Sequence, residues 1–115
     1  MYLIGKKLVF KNPGQLGHYC PACDDLHFIE TYLNGMYRWN ESEDRPTIYG
    51  PVSFNWGDAE FPQRCGYSIT LGEIRYRAAS THEYAGETLK LPDIDRHIIE
   101  SYEIEPSGAR IKQHA

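Results

Sequence analysis

The chain has 115 residues, 41% of them hydrophobic, with a formal net charge of −4 and a pI near 5.7. These values suit one globular domain with a modest core and exclude a disordered composition. No apolar run approaches the roughly 20 residues of a membrane span, and the acidic balance argues against a non-specific nucleic-acid binder.

At the N-terminus, "MYLIGKKLVF" carries lysines inside its apolar stretch and no small-residue cleavage site, so it does not read as a signal peptide. Residues 2 to 10 read as a first strand, and "NPGQ" (12–15) as a turn. "LHFIETYL" and "MYRW" flank Asn34-Gly35. That dipeptide tolerates positive φ at both central positions and predicts a hairpin between the two runs. Both faces of the first run carry apolar groups, which predicts a strand covered on both sides.

"NESEDRP" (40–46) reads as a loop. "TIYGPVSFNW" is extended and broken at Gly50-Pro51, and "GDAEFPQR" is a second loop. "CGYSITLGEIRYRA" predicts a hairpin turning near Leu71-Gly72. Tyr67, Ile69 and Leu71 alternate with polar residues on one arm, and Ile74, Tyr76 and Ala78 on the other. "STHEYAGE" (80–87) predicts one helical turn, capped by Ser80 or Thr81 and ended by Gly86. Asp93, Ile94, Ile98 and Ile99 suit a short helix, and "SYEIE" alternates like a strand. The polar tail from Pro106 is expected to fray. The whole chain, 1–115, reads as one mostly β (β-rich α+β) domain of small antiparallel hairpins, with one or two short helical turns.

Cys20 and Cys23 form a C-x-x-C knuckle in "GHYCPACDDLHF". Two cysteines so spaced supply two corners of a zinc tetrahedron from one tight turn. A redox pair would instead open a helix in a thioredoxin-like context, whereas this one precedes a strand. Three cysteines are an odd number, which does not suit a secreted disulfide framework and points to a reducing, cytoplasmic setting. Cys65 is the remaining thiol, and His82 follows at the start of the proposed helical turn. Cys20, Cys23, Cys65 and His82 are therefore the expected zinc ligands. His27 is the alternate for the fourth place, but from an extended strand it must reach backwards to the knuckle. His18, beside Cys20, has an awkward reach.

Four protein ligands close a zinc site and leave no position for water, so a structural zinc is favoured over a catalytic one. "HEYAG" lacks the second histidine of H-E-x-x-H. The order of "CPAC" and "THE" is the reverse of the zinc deaminase pattern. No phosphate-binding glycine loop is present. Ser68, Ser80 and Glu83 are the weak catalytic candidates. The bland assignments for the serines, a strand residue and a helix cap, weigh more. Trp39 and Trp56 are expected to pack in the core or hairpins.

The ordered segments "HYCPACDDLHFIE", "YRWNESEDRPTI", "CGYSITLGEI" and "STHEYAGETLKLPDI" resemble a family of small zinc-binding proteins of phages and of bacterial operons for ubiquitin-like conjugation, where the family is called BubE. The resemblance covers roughly residues 17 to 94. Cys20, Cys23 and His27 match the family's C-x-x-C pair and following histidine. Trp39, Asn40, Arg45, Pro46 and Thr47 match the next segment, and Cys65 and Gly72 the third. His82, Ala85, Gly86, Thr88, Leu91, Pro92 and Asp93 match the last. Gly66 stands where the family pattern has a histidine, and Ser80 where it has a cysteine. The resemblance implies a zinc cofactor and a protein partner, either a host or defence protein or a ubiquitin-like protein. It also implies a choice of activity. One is a protein-binding domain acting on host or defence proteins; the alternative is a peptidase-like hydrolase that processes a ubiquitin-like protein or its conjugates.

Overall fold

The computed structural model describes residues 1–11, 14–31 and 37–105. Among the described residues, nine strands form two antiparallel sheets, each a meander in chain order. The first sheet comprises β1 (Tyr2–Ile4), β2 (Leu8–Phe10), β3 (Gln15–Cys20) and β4 (Asp25–Glu30). The second comprises β5 (Arg38–Trp39), β6 (Ile48–Gly57), β7 (Pro62–Thr70), β8 (Glu73–Tyr76) and β9 (Thr88–Lys90). One helix, α1 (Arg96–Ser101), follows. The β-rich expectation is met, and no helix among the described residues is long and apolar enough to cross a membrane.

Alternation divides the core into two layers. In β2, Leu8 faces a cluster with Leu16, Cys20 and Ile29 of its own sheet and with Ile48, Val52, Cys65, Tyr67, Ile69, Ile74 and Tyr76 of the other. Its neighbour Val9 faces the opposite way, into a cluster with Leu26, Ile94, Ile98 and Ile104. The first sheet is thus buried on both faces, by the second sheet on one side and by α1 with its flanking residues on the other. This explains why the apolar residues of β4 fill both alternating sets.

Several boundaries differ from the sequence reading. Residues 2 to 10 form two strands, because Gly5 takes φ +61 and the chain reverses through Lys6 and Lys7. The Asn34-Gly35 dipeptide lies outside the described residues. Among the described residues, the arms it flanks belong to different sheets: β4 pairs with β3, and β5 with β6. The 57–64 loop is shorter than expected, since Pro62–Arg64 already belong to β7. The Leu71-Gly72 turn forms as expected, with φ of +46 and +80. Leu71 is 54% exposed, however, because it occupies the turn rather than the inward face.

Residues 80–87 form successive turns, closed by Ala85 N–H to His82 O (3.2 Å) and Glu87 N–H to Tyr84 O (2.9 Å), and no helix. Gly86 does supply the positive φ (+82) expected at its end. The short helix starts two residues later than Asp93 suggests: Asp95 is its N-cap, accepting the His97 N–H. The segment before it is tied to the β1–β2 turn by Lys7 Nζ, which donates to Leu91 O (2.8 Å) and Asp93 Oδ1 (3.1 Å). Of "SYEIE", Ser101 ends the helix and only Glu105 makes a strand-like bridge, to Tyr2. The tail from Pro106 lies outside the described residues.

A buried histidine sits between the sheets. His18 is 1% exposed, and its Nε2 lies 2.5 Å from the Tyr67 hydroxyl. Its Nδ1 lies 3.1 Å from Tyr19 O, which can only accept. Nδ1 therefore carries the proton and Nε2 accepts from Tyr67, so the pair is satisfied with a neutral ring. Burial, reinforced by nearby His27, lowers the His18 pKa from 6.5 to about 4. Between those values the unfolded chain binds a proton that the folded chain refuses. The His18 contribution is therefore complete above about pH 6.5 and is lost as pH falls towards about 4, by about 3 kcal/mol. Urea denaturation of the wild type and His18→Phe at about pH 7.5 and 5 should show the wild type's advantage shrinking at the lower pH. An equal advantage at both would contradict a neutral buried ring.

Candidate metal centre

The β3–β4 hairpin brings His18, Cys20 and His27 to one inward face. In an antiparallel ladder, paired residues share a face and alternate residues along a strand share it too. Cys20 pairs with Asp25 and His18 with His27, so His18, Cys20 and His27 all point towards the second sheet. The turn between the strands closes through Asp24 N–H to Cys20 O (2.8 Å), with Asp24 at φ +50. Cys23 lies in that turn. From the facing sheet, Cys65 of β7 points inward on the same face as Tyr67 and Ile69.

The ligand atoms of Cys20, Cys23, His27 and Cys65 all lie within 4.8 Å of one another, and this group is able to hold a metal ion. The Sγ atoms of Cys20 and Cys65 are 3.9 Å apart and both cysteines are fully buried. All three cysteines are free thiols. His27 Nε2 is buried with no hydrogen-bond partner, an unfavourable state that a metal ion would relieve. The His27 ring is held in place by stacking on Phe54, with centroids 4.3 Å apart and planes 8° from parallel.

The knuckle is further positioned by Tyr76. Its hydroxyl lies 3.1 Å from Cys20 Sγ and accepts the Ala22 N–H at 3.4 Å. Hydrogen bonding to Cys65, the neighbouring His27 ring and the Tyr76 hydroxyl's approach together outweigh burial and bring the Cys20 pKa down to about 3. The neighbours move the other way. Burial and the Cys20 charge push Cys23 up to about 11, and the Cys65 thiol is raised chiefly by its hydrogen bond to Cys20 and by burial. These opposed shifts show that more than one thiolate among the three sulfurs is costly unless a cation offsets the charge.

His82, the fourth ligand expected from sequence, lies outside this group; His27, the alternate, lies within it. The local hydrogen bonding of His82 also counts against coordination through Nε2. The backbone N–H of Tyr84 donates to His82 Nδ1 (3.2 Å), which places the neutral ring's proton on Nε2. A protonated nitrogen has no lone pair for a metal. His82 packs edge-on to Tyr76 (4.6 Å, 79°), and its Nε2 is buried without a hydrogen-bond partner. It still borders the centre: Cys23, His27 and His82 line one cleft. The backward reach that counted against His27 disappears once β3 and β4 pair, because His27 becomes a diagonal neighbour of Cys20.

The catalytic candidates are placed apart from one another in role. Ser80 is buried; its hydroxyl donates to Gly66 O and accepts from Gly66 N–H, both at 3.0 Å. It stitches the turn region to β7 instead of capping a helix. Ser68 is a half-buried strand residue paired with Arg75, and Glu83 is exposed. Thr81 takes part in the same stitching: its hydroxyl accepts the Arg64 N–H at 2.9 Å. Gly66 and Ser80 were singled out separately in the sequence, and only the fold shows that they touch. Trp39 packs against the core, whereas Trp56 is 47% exposed on β6, contrary to the expectation that both would be packed.

No family model, curated protein or solved structure matches the chain.

The two histidines are separable by experiment. Titration with cobalt(II), read by its thiolate charge-transfer absorption, should give a tight site in the wild type and in His82→Phe. His27→Phe should weaken binding by at least about tenfold. The reverse order would restore His82 as the ligand.

Proposed function

We propose that the chain is a small protein-binding domain whose fold is held by one structural zinc ion on Cys20, Cys23, His27 and Cys65. The observation that carries this reading is dimensional. Zinc–sulfur bonds of about 2.3 Å in a tetrahedron place two sulfurs about 3.8 Å apart. Cys20 and Cys65 stand 3.9 Å apart, from two different sheets, with the other two donors around them. A mixed set of thiolates and one imidazole is the donor chemistry zinc prefers. Four protein ligands fill its tetrahedral coordination, which supports a structural role over the activation of water.

The magnitude supports a structural role too. Zinc binding at such sites contributes on the order of 10 kcal/mol, comparable to the whole net stability of a typical domain, about 5–15 kcal/mol. A cluster that joins the two sheets would therefore decide whether they stay joined. Elemental analysis of the purified protein should find about one zinc per chain. Chelation should abolish the cooperative thermal transition or lower its midpoint sharply. A metal-free protein with an unchanged melting curve would refute the structural zinc.

For the partner, the reading draws on exposed aromatics and on the resemblance to the phage and bacterial BubE family. Trp56 and Phe61, 47% and 68% exposed, flank the β6–β7 turn. Large exposed aromatics of this kind are characteristic anchors of protein interfaces. The host or defence proteins implied by the resemblance are the proposed targets. The hydrolase alternative draws less support. The two positions that depart from the family pattern, Gly66 and Ser80, hydrogen-bond to each other, so the Ser80 hydroxyl is engaged by backbone. Incubation with a ubiquitin-like precursor should leave it intact. Cleavage that disappears in Ser80→Ala would favour the hydrolase.

A further inference from the structure

We propose that Cys23 is the site at which hydroperoxides modify this protein, and that its conversion to a disulfide with Cys20 or Cys65 discharges the metal. The proposal rests on the metal centre described above and concerns how that centre fails.

The four ligands are unequal in access. Cys20 and Cys65 are fully buried in the layer between the sheets. Cys23 is partly exposed, because it lies in the β3–β4 turn at the edge of that layer. It lines a cleft of about 340 Å³ whose walls include Ala22, Leu26, His27, Trp56 and His82. A small oxidant entering this cleft meets one sulfur. Behind that sulfur, within 4.8 Å, stand two more. With a metal holding both as thiolates, an accessible sulfur backed by a second one is the arrangement that favours reversible oxidation to a disulfide over dead-end oxidation.

The chemistry balances with a hydroperoxide as the named oxidant. The Cys23 sulfur attacks the peroxide's outer oxygen, forming an S–O bond as the O–O bond breaks. The products are the sulfenic acid and, after protonation, water when the oxidant is hydrogen peroxide. The Cys20 or Cys65 thiolate then attacks the Cys23 sulfur, forming the S–S bond and expelling hydroxide. Two electrons pass from the two sulfurs to the peroxide, and the two thiolates, one peroxide and two protons become one disulfide and two waters. The disulfide would thereby withdraw two of the four side chains that would hold a metal, with their two compensating negative charges, so a bound ion would be released.

The experiment uses the zinc-loaded, folded protein and hydrogen peroxide. Zinc release is followed with a chromogenic chelator, and the oxidised protein is mapped by mass spectrometry without reduction. The expected result is one zinc released per disulfide formed, with Cys23 in every disulfide-linked peptide. Brief iodoacetamide treatment of the native protein should label Cys23 at least about tenfold faster than Cys20 or Cys65. A Cys20–Cys65 disulfide with Cys23 left free would overturn the proposal. So would zinc retained after the peroxide is consumed, or equal labelling of all three thiols. In Cys23→Ser, if it folds, peroxide-driven zinc release should slow at least about tenfold; if it does not, the wild-type mapping decides the question alone. Protein purified without zinc would refute the metal reading. The order of thiol reactivity would then still decide whether Cys23 is the modified residue.

Discussion

The constraint on which the structure turns is the meeting of Cys20 and Cys65 across the dry space between two sheets. Their sulfurs are 3.9 Å apart and neither is exposed. Thiols alone gain little there, and more than one thiolate in that space is costly without a cation. Within the apolar cluster that surrounds the pair, three features hold the sulfurs and the imidazole in place: the closed β3–β4 turn, the Tyr76 hydroxyl and the stacking of His27 on Phe54. A core of apolar residues would be satisfied by contact. This one leaves an unpartnered imidazole nitrogen at His27 beside three thiols, an arrangement that makes physical sense around an ion.

The same region carries a second, purely protein-based polar pair. His18 and Tyr67 lie beside the donor group and satisfy each other without a metal. The contrast is instructive because His18 and His27 are directly opposite in the ladder and share a face. His18 finds a hydroxyl and a carbonyl and is completed as a neutral ring. His27 finds sulfurs and a phenyl face. Neighbouring backbone positions thus give two histidines different chemistry, through the partners that the facing sheet presents to each.

The layers around this centre divide the labour. The second sheet contributes one donor and the tyrosines that position the others. The first sheet contributes three donors and is held from behind by Ile94, Ile98 and Ile104, with Lys7 tying the connecting segment down. Since β4 carries His27 on one face and Leu26 and Phe28 against the rear cluster on the other, a metal held by the candidate group and the docking of the helix would act on the same strand. The rim is different in character. Cys23, at the turn, is the one of the three cysteines that remains partly exposed, and it opens onto a cleft.

Residue type and short-range spacing were enough to identify the β-rich class, the Leu71-Gly72 hairpin, the C-x-x-C knuckle and Cys65 as its only possible thiol partner. These depend on local conformational preference and on the scarcity of cysteine, both of which are properties of the chain itself. The choice between His27 and His82 depended on tertiary structure. It required the β3–β4 register, which turns His27 from a distant residue into a diagonal neighbour of Cys20, and the Tyr84 N–H that fixes the His82 proton. The separation of β4 from β5 into different sheets, and the contact between Gly66 and Ser80, were likewise invisible in one dimension. Pairing register and sheet-to-sheet packing are set by the sum of many long-range contacts, and no local sequence window contains that sum.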